Sequence, residues 1–354
     1  MLIASATIVS VVATPILTAS ACISKLFSFI TRIKPLDVSR ESFIKEMKTP
    51  MTNGLTSRWT CDNKVHVLCR HATVFSNYPP VVIIHGTASC SFNYSEFMES
   101  FPKTYDVYCI DMPGWGISED PPFDLGTTLL ERCYSYYGNI IMTALAEVYP
   151  VKDARFVFVG HSLGAFILTK TIACESIPSN AIHKCVLVCP AGLDKQVSKY
   201  AYFWGSLFIT GIMESSFKQW WSKHLFSAFL YRKKTQLQTL KNMHRFIPIG
   251  KGYKIAGRHM AFQGPLFRPE WVRPVRNELI HIFKYKCKVE LIGGLTDTIV
   301  NPQHIKSISS EFKNIEYHEL NGGHSLFLQN ELFQSLIDII NIFPKEKGVS
   351  RLDK

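Results

Sequence analysis

The sequence has no CxxC pair, and none of its ten cysteines groups with histidine at zinc-ligand spacing. It has no glycine-rich phosphate loop and no dinucleotide fingerprint. Internal repeats and low-complexity tracts are also missing. These absences point away from a zinc module, a P-loop enzyme and a dinucleotide-dependent oxidoreductase, and neither a metal nor a cofactor is expected. No acidic residue occurs before Asp37, and residues 1–24 carry no charge of either sign. Acids are scarce again between Gly192 and Lys288, where four Asp/Glu stand against eighteen Lys/Arg. That stretch holds a net +14, so the rest of the chain carries −3 of the total +11. A basic balance raises nucleic acid or an anionic membrane as partners. No nucleic-acid-binding module pattern accompanies it, so nucleic acid is not expected.

What is present supports a folded body. The chain has 354 residues, of which 47% are hydrophobic. That is enough for one large α/β domain with an insertion, or for two domains, and it excludes wholesale disorder. Cys109, Cys185 and Cys189 sit in apolar, strand-like runs and are read as buried, reduced thiols. Residues 1–24 are long enough to cross a bilayer, although Ser, Thr, Ala and Pro15 dilute the apolar character. Lys25, Arg32 and Lys34 follow. An N-terminal anchor with a cytosolic body is the first reading, because positive flanks stay on the cytosolic side. A cleaved signal peptide ending near Ala19-Ser20-Ala21, or an organelle presequence, are the rivals. Residues 1–40 are therefore set apart from the fold.

Short apolar runs then alternate with helical stretches. Lys64–Arg70 reads as an early antiparallel strand, and Val81–Ile84 as a strand buried on both faces. Asp106–Ile110, Phe156–Val159, Lys184–Cys189, Val289–Ile292 and Ile315–Glu319 read as further strands. Helices are expected over about residues 127–148, over Ala165–Lys170, and over Ser325–Phe343. Strands alternating with helices predict a doubly wound, mostly parallel sheet. The strand rhythm stops over residues 193–283, which are aromatic, basic and helix-leaning. The expected organisation is a hydrophobic segment at 1–40, a core in two parts at 55–192 and 284–345, and a helical lid inserted at 193–283.

Gly160-His161-Ser162-Leu163-Gly164 lies between an expected strand and an expected helix. A small residue on each side of a serine permits a sharp strand-to-helix turn, where a Cβ would meet neighbouring backbone. Such a turn lifts the hydroxyl out and aims the next backbone N–H at the same space. A serine hydroxyl needs a base to attack, and the base needs an acid to hold its tautomer. In a doubly wound sheet, groups that must meet lie at the carboxyl ends of the strands. Two later strand ends offer Asp297 and His324. Asp297 could instead serve as a turn or capping residue before Ile299-Val300-Asn301-Pro302, and Asp194 is the alternative acid.

His85-Gly86-Thr87-Ala88-Ser89, Asp111-Met112-Pro113-Gly114-Trp115-Gly116, the Ser162 turn, Gly294-Leu295-Thr296-Asp297 and Gly322-Gly323-His324 occur in this order. With these motifs the sequence resembles the α/β-hydrolase superfamily, in its lidded lipase and esterase branch, over about residues 60–345. The resemblance implies an α/β-hydrolase fold, Ser162 as nucleophile, Asp297 as acid and His324 as base. It implies the N–H groups of Leu163 and Thr87 as oxyanion donors. His85 is read as bracing the oxyanion loop, and His85 and His161 as residues that could line the substrate. The Asp111–Gly116 stretch is assigned no catalytic role. Relatives that transfer acyl groups to lipids carry an H-x4-D motif, but the fifth residue after His324 is Gln329.

The basic segment combines Phe203-Trp204, Trp220-Trp221 and Phe229-Leu230-Tyr231 with Arg232-Lys233-Lys234. Aromatic rings beside cations suit an element lying on an anionic membrane surface. They suit equally a soluble lid whose rings pack on the core. Two functions remain. One is a serine hydrolase acting on lipid esters. The other is a catalytically silent protein of this fold that binds a membrane or a partner.

Overall fold

The computed structural model describes residues 54–87, 89–123, 130–192, 287–312 and 315–341. The expected N-terminal segment, the lid at 193–283 and the alternative acid Asp194 lie outside these residues. Val81–Ile84 forms β3, Val107–Ile110 forms β4, and Phe156–His161 forms β5. Every residue of these three strands is buried. Strands covered on both faces have no solvent side to reward alternation, so they read as unbroken apolar runs. Ile182–Val188 (β6), Lys288–Gly294 (β7) and Ile315–Leu320 (β8) continue the sheet. With Leu55–Thr60 (β1) and Val65–Arg70 (β2), the sheet has eight strands among the described residues, in the order β1-β2-β4-β3-β5-β6-β7-β8. Only the β1–β2 and β2–β4 pairings, made by Leu55–Thr60 and Val65–Arg70, are antiparallel.

Alternation along each strand divides the core in two. Val82, Ile84, Phe156 and Phe158 face Ser95–Glu99's opposite side of the sheet, where they meet Leu130–Val148 and Leu163–Ala173. Val81, Ile83, Val157 and Val159 face Phe97 and Met98 of that short helix and Phe333, Leu336 and Ile337. In chain order the helices are α1 (Ser95–Glu99), α2 (Leu130–Val148), α3 (Leu163–Ala173), α4 (Pro302–Glu311) and α5 (Phe333–Ile340). Each fully buried aliphatic side chain contributes about 1.5–3 kcal/mol. The central strands therefore hold the sheet rigid beneath the loops at its carboxyl edge. Among the described residues, no helix is long and apolar enough to cross a membrane.

Two expectations change. A single closing helix from Ser325 is replaced by 3-10 turns at Leu326–Leu328 and Asn330–Leu332, and α5 begins only at Phe333. Phe327 turns inward to pack on Tyr94 and Phe97, which bends the chain away from a helical path. The strand Leu55–Thr60 is not among the expected ones. It lies at the sheet's edge with most of its side chains outward, so its apolar pattern is weak.

An ion cluster around buried Glu290 ties the far end of the sheet together. Lys184 Nζ and Lys288 Nζ each lie 2.8 Å from Glu290 Oε1, and His318 Nε2 lies 3.2 Å from Glu290 Oε2. Lys184 also donates to the Ile339 and Asn341 carbonyls, fastening the end of α5. Burial pushes the Glu290 carboxyl up, but His318, Lys184 and Lys288 outweigh it and bring it down to about 2. A depressed carboxyl stabilises the fold above its ordinary value of 4.5, and that contribution is lost as pH falls through about 2. Glu290→Ala should destabilise the protein by about 3–5 kcal/mol, because Lys184 is left buried without its carboxylate. Urea unfolding at neutral pH measures this.

Candidate active site

Four strand ends build the site. After β5 the chain turns sharply at Ser162, whose backbone adopts φ 51° and ψ −115°. A non-glycine residue in the left-handed region costs about 1–3 kcal/mol and persists only where its surroundings enforce it. Here they do. The Ser162 N–H donates to the Val188 carbonyl at 2.9 Å, and the Ser162 carbonyl accepts from Ala191 at 3.1 Å and Phe166 at 3.2 Å. The small flanking residues permit this packing. A Cβ on Gly160 would lie 2.5 Å from the Ala165 Cα, and one on Gly164 would lie 2.2 Å from the Ile84 carbonyl oxygen.

After β7 and β8, two loops are zipped together. Leu295 N–H donates to the Leu320 carbonyl at 2.8 Å, and Thr296 N–H to the Gly322 carbonyl at 3.0 Å. This pairing places Asp297 beside His324. His324 Nδ1 lies 2.8 Å from Asp297 Oδ2, and His324 Nε2 lies 2.8 Å from Ser162 Oγ. Asp297 Oδ1 accepts from the N–H groups of Ile299 at 2.8 Å and Val300 at 3.0 Å. One Asp297 oxygen thus serves the turn and the other meets His324. The cap of α4 is a different residue, Asn301, which accepts from Gln303 N–H. Burial pushes the Asp297 carboxyl up, but His324 and the two backbone N–H groups outweigh it and hold it below the usual range. An ionised Asp297 only accepts, so His324 carries its proton on Nδ1 and leaves the Nε2 lone pair for the Ser162 O–H. Such a line can draw a proton from the serine as its oxygen attacks an electrophilic carbon.

The candidate oxyanion donors come from two neighbouring strand ends. Leu163 is the first residue of α3, where helical geometry supplies no acceptor for its N–H. Thr87 follows β3 on the neighbouring strand end. His85 is buried, and both its ring nitrogens meet protein groups: Nδ1 donates to the Gly86 carbonyl at 2.9 Å, and Nε2 accepts from Met112 N–H at 3.2 Å. His161 is engaged likewise, with Nδ1 2.8 Å from Tyr94 Oη and Nε2 2.9 Å from the His324 carbonyl. Both histidines have the geometry of braces, with no ring nitrogen left for a substrate.

Asp111 accepts from Ser91 and Ile117 N–H groups and from buried His66, whose Nδ1 lies 3.1 Å away. His66 Nε2 in turn meets Ser57 Oγ at 3.0 Å. This second Ser-His-Asp line lacks the elbow. Ser57 sits within β1, a strand that leads into β2 and not into a helix N-terminus. Asn93, the asparagine of the sole N-x-S/T sequence, is buried and donates to Ser89 Oγ at 3.0 Å. Cys189, Asp297 and His324 bring one possible metal-ligand atom each within 4.8 Å, as do Glu290, Glu316 and His318. In the first group burial holds the Cys189 thiol well above its ordinary value, and the Asp297–His324 bond already occupies two of the ligand atoms. The nine described cysteines are all free.

Comparison with known proteins follows the same lines. A structure of an enol-lactonase from Burkholderia xenovorans superposes with a TM-score of 0.55 at 15% identity, covering 80% of this chain and 99% of that one. A thermophilic esterase from Thermogutta terrifontis gives 0.55 at 13% identity, covering 81% and 97%. A hydrolase from Pseudomonas aeruginosa gives 0.56 at 15% identity, covering 82% and 99%. At such identities the likeness is one of fold. A search of curated proteins gave no match. The family model for the alpha/beta hydrolase fold matches residues 79–331, well over half of the sequence. With its sheet order and strand-end site, the chain belongs to the α/β hydrolase fold family.

Proposed function

We propose that the protein is a serine hydrolase of carboxylic esters, with lipid esters as its substrates. The observation that carries this reading is the Ser162–His324–Asp297 line, with both of its hydrogen bonds at 2.8 Å. Ser162 Oγ attacks the ester carbonyl while His324 Nε2 takes its proton. Asp297 holds the imidazolium that forms. The carbonyl oxygen becomes an oxyanion between the N–H groups of Leu163 and Thr87. The intermediate collapses, the C–O bond breaks, and His324 returns the proton to the departing alcohol. Water, deprotonated by His324, then attacks the acyl carbon; the bond to Ser162 Oγ breaks, His324 returns the proton to that oxygen, and the acid is released. Two structural neighbours are an esterase and an enol-lactonase, and both chemistries open a carboxylic ester.

A fluorophosphonate probe tests the nucleophile. The full-length protein should be labelled, and Ser162→Ala should not. Folded wild type that resists labelling would favour the silent scaffold. The donor at Thr87 is its backbone N–H, so Thr87→Ala should keep ester hydrolysis within about threefold of wild type, whereas loss of a true oxyanion donor costs about a hundredfold or more. Steady-state kinetics on p-nitrophenyl esters separates the two.

The preference for lipid esters rests on the sequence of residues 193–283, where aromatic pairs adjoin Arg232-Lys233-Lys234. This segment and the uncharged residues 1–24 are assigned to an anionic membrane surface, with the body on the cytosolic side. Neutralising the three cations to glutamine should weaken binding to phosphatidylserine vesicles, by about 1 kcal/mol per charge. Co-sedimentation at low and high salt measures the effect, which should shrink as salt rises.

A further inference from the structure

We infer that Tyr94 and His161 form a positioning relay joining the oxyanion loop to the histidine base. Through it, the donor and the base that flank Ser162 are held as one unit. The inference rests on the hydrolase reading of Ser162. Three hydrogen bonds carry it. Gly86 N–H donates to Tyr94 Oη at 3.2 Å, Tyr94 Oη lies 2.8 Å from His161 Nδ1, and His161 Nε2 lies 2.9 Å from the His324 carbonyl oxygen.

Each proton in this chain is fixed by chemistry. A carbonyl oxygen only accepts, so His161 Nε2 must carry a hydrogen. In a neutral imidazole that leaves Nδ1 as a lone pair, and the Tyr94 O–H must donate to it. The Tyr94 oxygen then accepts from Gly86 N–H. Burial, followed by the nearby His324, holds His161 down at about 3, so the ring is neutral as this assignment requires. Packing fixes the same groups. The His161 ring lies 5.2 Å from the His324 ring and 5.4 Å from Phe327, and Phe327 lies 5.2 Å from Tyr94.

Gly86 is the point where the relay meets the chemistry. A Cβ there would lie 3.0 Å from His161 Nδ1 and 3.2 Å from the Ser162 Cβ, so the loop passes directly over the serine. The Gly86 carbonyl is held by His85 and the Gly86 N–H by Tyr94. In a trans peptide the Thr87 N–H points opposite to the Gly86 carbonyl, so fixing Gly86 on both sides aims the Thr87 donor. The far end of the relay holds the backbone of the base. Tyr94 and His161 touch no reacting atom and are positioning residues.

Imidazole nitrogen-15 spectra and ester kinetics of the full-length chain test this together. Wild-type His161 should show a protonated Nε2 and a bare Nδ1 at neutral pH. Tyr94→Phe should lower kcat about 10- to 100-fold with KM within about twofold, since a displaced donor costs part of what a lost one does. Adding His161→Gln to Tyr94→Phe should cost little more than either change alone, as expected of groups in one chain. A proton on His161 Nδ1, or wild-type kcat in Tyr94→Phe, would overturn the relay. Where Tyr94→Phe does not fold, the wild-type tautomer alone decides. If wild type shows the expected tautomer yet neither hydrolyses esters nor reacts with fluorophosphonate, the hydrolase reading fails and the relay stands as a link between the two loops.

Discussion

Ser162→Ala should lower kcat for ester hydrolysis about a hundred-thousand-fold or more, while leaving the thermal unfolding midpoint nearly unchanged. The change removes one oxygen and keeps the Cβ, so the strained turn at φ 51° is retained and its hydrogen bonds to Val188, Phe166 and Ala191 are untouched. What disappears is the hydroxyl oxygen 2.8 Å from His324 Nε2, the atom that would form the acyl bond. His324→Ala should cost a similar factor, because Ser162 then has no acceptor for its proton. The double variant should be scarcely slower than either single one, since the three side chains act as a unit. Activity remaining in these variants would come from binding and from the backbone donors near Leu163 and Thr87. Kinetics of the three variants on a graded series of p-nitrophenyl esters gives the factors, and the wild-type chain-length optimum gives the depth of the acyl site. Equal turnover in wild type and Ser162→Ala would place the hydrolysis elsewhere and remove the assigned nucleophile.

The parts of this site that the sequence made legible share a physical cause. Val81–Ile84 and Val107–Ile110 are covered on both faces, so burial writes itself into four consecutive apolar residues. Each run ends in a turn with polar residues, and the parallel topology brings those ends to one edge. Ser162, Asp297 and His324 could therefore be picked out as candidates from residue type and position at strand ends, with Asp194 as the other acid, while their roles came from the resemblance. Tyr94 could not. It sits on a single 3-10 turn, Ser91–Tyr94, and in the sequence it is visible only as the middle of an N-x-S triplet. Its partner His161 is 67 residues away, and nothing local announces the pairing. The cluster around Glu290 was hidden for the same reason. Lys184, Glu290 and His318 occupy three neighbouring strands, and only the register of β6, β7 and β8 brings them together. Sequence patterns report burial and local turns well. They are silent on which side chains meet across the sheet.

Asp297→Asn should lower kcat about ten-thousand-fold with little loss of structure, and this protein's geometry gives the reason. Asp297 Oδ1 accepts two backbone N–H groups, from Ile299 and Val300. An asparagine amide has one oxygen, and those two donors will claim it, because turning the NH2 toward them would set donor against donor. The NH2 must then face His324 Nδ1. That nitrogen becomes an acceptor, the imidazole proton moves to Nε2, and the ring can no longer take the proton of Ser162. The backbone thus forces the wrong tautomer, where a freely rotating amide could have avoided it. The same two N–H groups, with His324, hold the aspartate ionised below its ordinary value of 3.8. Its contribution to stability is therefore present above that pH and is lost as pH falls through the lower folded value. Asparagine should erase that acid dependence along with the activity. Nitrogen-15 spectra of the His324 ring should show the proton shifted from Nδ1 to Nε2 in the variant. A variant with the wild-type tautomer and wild-type kcat would show that another carboxylate holds the base, and Asp194, the acid that follows β6 in the sequence, would be the residue to change next.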